Sequence, residues 1–182
     1  YTATFQLEKR FDKGLFARVA YNYGEAKDLI SAGSIAAGSW NGNATVNGNN
    51  RADLAFSNND QRHRILGAVT YRKEYLGFMA SQIGLIFEAR NQGRFTYVYN
   101  QDMNGDGVNG NDLMFVPNNA SEIRFRSFTQ SGVTFTPEQQ VAAYEVYIAQ
   151  DDYLSSCRGQ YAERNGGLLP WLTTIDLSFA QD

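Results

Sequence analysis

The sequence predicts an all-β chain: a segment of antiparallel, up-and-down transmembrane β-barrel, about five strands, with one helix in a long external loop. Three observations predict it. Five segments alternate apolar and polar residues with period two, the mark of a strand with one apolar side. The connections between them run short, long, short, long, the asymmetry of outer-membrane barrels. Aromatic residues gather near strand ends, at Phe11, Tyr21, Tyr23, Tyr71, Tyr75 and Trp171, as an interfacial girdle does.

The first strand is expected over Tyr1 to Phe11, with Ala3, Phe5 and Leu7 opposite Thr4, Gln6 and Glu8. Asp12-Lys13-Gly14 reads as a tight turn. Leu15 to Tyr23 returns, with Ala17, Val19, Tyr21 and Tyr23 on one face and Arg18 and Asn22 on the other. Gly24 to Gln61 is rich in Gly, Asn, Ser and Ala and is expected to be a long loop with a turn or two of local structure. Arg64 to Arg72 is the third strand, Lys73 to Gly77 a second short turn, and Phe78 to Arg90 the fourth strand. Phe95, Tyr97 and Tyr99 are expected to prolong that strand past Gly93.

A second excursion runs from Asn100 to Pro170. Thr136 caps a helix there, with Pro137 at its first position and Gln139 completing a capping box. A second short helical turn is expected near Asp152 to Cys157. Trp171 to Gln181 alternates again. If the strands form barrel wall, Phe5, Leu7, Val19, Val69, Leu85, Ile175 and Leu177 face lipid, while Arg18, Gln82, Glu88, Arg90 and Asp176 face inward. The competing fold is a soluble antiparallel sheet with one face on a core.

Composition agrees with strands. The chain has 182 residues and a formal net charge of −3, with 12 Phe, 11 Tyr and 2 Trp. Aromatic residues favour pleated, half-exposed surface. The charge argues against a nucleic-acid binder, which needs a basic stripe. One cysteine excludes a disulfide framework and a Cys-rich zinc site. Eighteen consecutive apolar residues occur nowhere, which excludes a transmembrane helix but not a strand crossing. The chain opens on Tyr1 without a signal peptide and is expected to be a piece of something longer.

Three spaced motifs carry a family resemblance. Asn59-Asp60-Gln61-Arg62-His63-Arg64, opening a strand after a long loop, resembles the D-x-R-H-R signature of TonB-dependent outer-membrane receptors. The run from Asp102 to Leu113, followed by Phe115-Val116-Pro117, is similar to a loop of that family's Oar-like branch, whose members carry a carboxypeptidase-regulatory-like domain. Arg158 to Gly166, then Pro170-Trp171 and Asp176-Leu177, resembles the same branch's ending. The resemblance spans nearly the whole chain in order. It implies that residues 1–182 are a late, partial portion of a receptor barrel, lacking the plug, the TonB box and the closing strands. It further implies an outer-membrane location and energised passage of a bulky solute. The implied partners are lipid, the rest of the barrel and its plug, and TonB through that plug. No catalytic activity and no nucleic-acid partner are implied.

The Asp102 loop is the strongest local feature. Calcium takes six to eight hard oxygens. Asp102, Asn104 and Asp106 stand at positions one, three and five of an EF-hand-like loop, with Gly107 at six and the Val108 carbonyl at seven. Asp112 falls at eleven rather than twelve, so the expectation is a shortened calcium cage of Asp102, Asn104, Asp106, Val108 and Asp112. The bland alternative is an Asn/Gly turn bonded to itself. A calcium-stabilised loop also underlies the second functional reading, a secreted or surface β-domain acting in adhesion. His63 is expected to be a hydrogen-bonded structural residue, Cys157 a packing residue, and Asp151 a helix cap. Asn43-Ala44-Thr45 and Asn119-Ala120-Ser121 match a short, frequent glycosylation pattern.

Overall fold

A computed structural model describes residues 1–182. The chain is mainly β and divides into two compact units, one of residues 1–28, 56–94 and 168–182, the other of 29–55 and 95–167.

The first unit is a five-stranded antiparallel sheet. Its strands are β1 (Thr2–Arg10), β2 (Leu15–Gly24), β3 (His63–Tyr75), β4 (Met79–Asn91) and β5 (Trp171–Gln181). Each pairs with the next, so spatial order follows chain order. β1 and β5 are the two outer strands, and the sheet does not close on itself.

Both tight connections lie at one end of the sheet, and both long excursions leave from the other. At the first turn Lys13 and Gly14 take φ of 70° and 82°. A Cβ on Gly14 would stand 2.0 Å from the Arg72 carbonyl oxygen, so only glycine fits. The second turn uses Leu76 and Gly77, also left-handed. β3 and β4 each run 13 residues, longer than the alternation suggested, and pair from Arg64↔Arg90 to Tyr75↔Met79.

In all five strands odd-numbered residues share one face. One row across it reads Leu7, Val19, Gly67, Phe87, Ile175, and the next Lys9, Ala17, Val69, Leu85, Leu177. The opposite face carries Glu8, Arg18, Ala68, Ile86, Asp176 in one row and Gln6, Ala20, Leu66, Glu88, Thr174 in another. It is mostly polar, with Phe16, Leu66, Ile86 and Leu172 as its large apolar members beside four alanines, Ala20, Ala68, Ala80 and Ala180.

The expected extension of β4 through Phe95, Tyr97 and Tyr99 does not occur. Gly93 adopts φ 132° and ends the strand's line. Tyr97 instead joins the core of the second unit.

That core is Val116, Ile148, Leu154 and Cys157, ringed by Tyr97, Met114, Tyr144 and Tyr153. Three α-helices belong to the unit: α1 (Ala36–Asn41), α2 (Pro137–Ala149) and α3 (Asp152–Ser156). α2 begins as its capping box requires: Gln139 N–H donates to Thr136 Oγ1 at 3.4 Å, and Thr136 N–H to Gln139 Oε1 at 2.9 Å. Asp151 caps α3 through the Leu154 N–H. A hairpin not foreseen from the sequence pairs Phe128–Gln130 with Val133–Phe135 across left-handed Ser131 and Gly132. Glycines admit rings closely: the Gly167 backbone lies under Phe95, where a Cβ would meet the ring at 2.5 Å, and Gly166 lies under the Tyr153 hydroxyl.

Candidate functional site

The sheet's two faces differ in chemistry as sharply as in sequence. On the odd face Phe5 and Leu7 are each 72% exposed, Leu177 75% and Phe179 67%, and Val19, Val69, Leu85 and Ile175 are exposed with them. A soluble monomer rarely leaves so continuous an apolar patch bare. On the even face polar side chains pair laterally. Arg18 donates to Gln6 at 2.7 Å, Asn22 to Thr4 at 2.8 Å, and Glu88 accepts from Arg64 at 2.8 Å with Arg90 3.5 Å away.

An aromatic row marks the end from which the excursions leave. Tyr1 and Tyr23 lie 6.3 Å apart, Tyr23 and His63 5.4 Å, and His63 and Trp171 5.9 Å, the last pair stacked at 22°. Amphipathic rings at one level suit a boundary between oil and water. His63 is held as a structural residue, its Nδ1 2.8 Å from Tyr21 Oη.

The D-x-R-H-R segment anchors the start of β3. Asp60 is sealed. Its Oδ1 accepts the Ala26 N–H at 2.7 Å and its Oδ2 accepts Arg94 Nε–H at 2.5 Å. Arg94 also stacks on Phe56, 3.6 Å from the ring centroid. Arg62 donates to Tyr23 and to Glu25, each at 2.8 Å, which holds the Glu25 carboxyl below its usual range. Sequence reasoning assigned Asp60 and Arg94 no role. The available clue was an aspartate between polar neighbours just ahead of a strand, where burial demands a cation.

The Asp102 loop is wound through Asx turns. Asp102 Oδ1 accepts the Gly105 N–H at 2.7 Å and its Oδ2 the Gly107 N–H at 2.9 Å. Asn104 Oδ1 accepts from Asp106 N–H, and Asp106 Oδ1 from Val108 N–H, both at 2.9 Å. Asp112 lies apart from this winding, in a strand pair with Tyr99, and its Oδ2 accepts the Met103 N–H at 2.6 Å. The structure therefore brings Asp102, Asn104, Asp106 and Val108 together as a self-bonded turn. It does not draw three carboxylates around one point.

The Arg158 to Gly166 segment ties the second unit together. Arg158 Nη2–H donates to Glu145 Oε2 at 2.5 Å, which with the Ala120 N–H keeps the Glu145 carboxyl below its ordinary range. Asn165 and Thr96 exchange hydrogen bonds of 2.8 and 3.1 Å. Tyr97 Oη–H donates to Asp151 at 2.5 Å, and burial, reinforced by that carboxylate, pushes its phenol well above the usual value. Cys157 is packed in the core. Asn43 is 6% exposed and Asn119 accepts from Ser121 N–H, so both glycosylation-pattern asparagines are engaged in the fold.

The chain matches no family model, no curated protein and no solved structure.

Proposed function

We propose that this chain is a stretch of outer-membrane β-barrel wall from a TonB-dependent receptor resembling the Oar-like branch, serving energised passage of a bulky solute. The observation that carries the reading is the pairing of two unlike faces on one sheet: a bare apolar face and an opposite face whose polar groups bond to one another. Lipid covers the first without a protein layer, and a water-filled lumen suits the second. The aromatic row at the excursion end and the tight turns at the other end give the sheet the polarity of such a wall.

Five strands are fewer than the roughly eight that a membrane barrel needs. Unpaired edges cost several kcal/mol per group in lipid. In this reading further strands pair with β1 and β5, a plug fills the lumen, and TonB acts through that plug.

The test is sidedness in the full-length protein, carried in an outer membrane on a Cys157→Ser background. Met103→Cys lies in a long excursion and Phe78→Cys at a tight turn. A membrane-impermeant maleimide should label Met103→Cys on intact cells and Phe78→Cys only after lysis. Equal labelling of both on intact cells overturns the proposal. A protein that stays monodisperse without detergent favours the surface adhesion domain instead.

A further inference from the structure

Beside the Asx-wound loop lies a second cluster of oxygens that the spacing of the loop does not foretell. Asp112 is 3% exposed. Its Oδ2 is satisfied by Met103, but its Oδ1 is buried without a hydrogen-bond partner, and no ion pair includes it. Thr45 Oγ1 and Asn111 Oδ1 are buried and unpartnered as well, in residues 3% and 1% exposed.

The backbone places Thr45 and Asp112 side by side, and the Asn111 and Asp112 side chains both reach the Asp102 loop, at Asp106 and Met103. Thr45 and Asp112 form a parallel bridge, so their side chains rise from one face. Thr45 N–H donates to the Asn111 carbonyl at 2.8 Å, and Leu113 N–H to the Thr45 carbonyl at 3.1 Å. The Asn111 amide is oriented by its Nδ2–H, which donates to Asp106 Oδ2 at 3.2 Å and leaves Oδ1 as the open acceptor.

A buried carboxylate is tolerated when a cation or several donors compensate it. The three unpartnered atoms, Asp112 Oδ1, Asn111 Oδ1 and Thr45 Oγ1, are all oxygens. An all-oxygen set with one formal charge is a hard-cation set. We propose that Asp112, Asn111 and Thr45 bind calcium at the base of the Asp102 loop, with water completing its shell. Asp102 and Asn104 then shape the loop through their N–H bonds without holding the ion. The expected cage of Asp102, Asn104, Asp106, Val108 and Asp112 is thus recentred on Asp112 and extended to Thr45.

Tyr99 pairs with Asp112 from its other side and supplies an optical reporter. In the full-length protein in detergent, terbium should luminesce on tyrosine excitation, and calcium should displace it. Asp112→Asn and Thr45→Val should each weaken calcium roughly tenfold or more, since affinity follows ligand number and charge. Asp102→Asn should change it less than about threefold on the same argument. If Asp112→Asn does not fold, Thr45→Val, which removes one hydroxyl and keeps the shape, decides alone. Absence of terbium emission and of any calcium-dependent change in melting overturns the proposal. So does calcium binding that survives Thr45→Val unchanged, or that Asp102→Asn destroys as fully as Asp112→Asn.

Discussion

Arg94 donates through Nε to Asp60 at 2.5 Å, and both side chains are shut away from solvent, Arg94 5% and Asp60 0% exposed. Removing one partner strands a buried charge. Asp60→Ala should therefore cost about 3–5 kcal/mol. The measurement is the denaturant midpoint of the protein in detergent. The double change Asp60→Leu with Arg94→Met should recover part of the loss. A cost for Asp60→Ala under about 1 kcal/mol would show that the pair is not sealed as described.

Val69 sits on the apolar face and Gln82 on the polar face. In a membrane wall, Val69→Arg should cost about 2–4 kcal/mol at mid-depth. Gln82→Arg, on the watered side, should cost far less. Equilibrium folding of the full-length protein into lipid vesicles reads both, and equal costs would contradict the assignment of faces.

Gly166 has no room for a side chain, since a Cβ there would lie 1.9 Å from the Tyr153 hydroxyl oxygen. That hydroxyl also accepts the Glu163 N–H at 2.7 Å. Gly166→Ala should push the ring aside and destabilise the unit by about 1–3 kcal/mol. Tyr153→Phe should lose only the hydrogen bond, about 1 kcal/mol. Adding it to Gly166→Ala should give back little of the larger cost, because the ring carbons Cζ and Cε2 would still lie 2.2 and 2.6 Å from the new Cβ. Thermal melting of the three variants checks the order.

Arg158 and the Ala120 N–H hold the Glu145 carboxyl below the ordinary 4.5. The folded state therefore binds this proton less readily than the unfolded chain. The contribution is fully present above the unfolded value and is lost as pH falls through the folded one. Melting temperatures of the parent and Glu145→Gln should differ at neutral pH and converge in acid. A gap that widens below about pH 4 would reverse the sign and refute the pairing.

The strands were legible because period-two alternation survives averaging, and all five begin and end within a few residues of the pattern in Phe5-Gln6-Leu7 and its counterparts. The capping box at Thr136 was legible for a local reason: its partners lie three positions apart. The hairpin at Phe128 to Phe135 was written in plain alternation around Ser131-Gly132, yet the long polar excursion masked it. Phe95 to Tyr99 misled, since alternation continues through residues whose backbone Gly93 has already turned. The Asp60–Arg94 pair and the Thr45–Asp112 bridge join residues far apart in sequence, so neither follows from any local pattern. In the Asp102 loop the Asx turns could be read from spacing; the separate placement of Asp112 depends on Thr45 and could not.

The close seat of Phe95 on Gly167 bears on how the sheet is assembled. β1 with β2, and β3 with β4, are joined by tight turns and can pair at once. β5 must wait for a chain that departs at Asn91 and returns at Trp171, and the entropy of closing so long a loop slows its pairing. A folded excursion that already clamps Phe95 against Gly167 replaces that loop with a few residues on either side of the clamp. The insertion then works as a kinetic staple: its own folding brings β5 alongside β4, and lesions in its core should delay completion of the sheet even where they touch no strand.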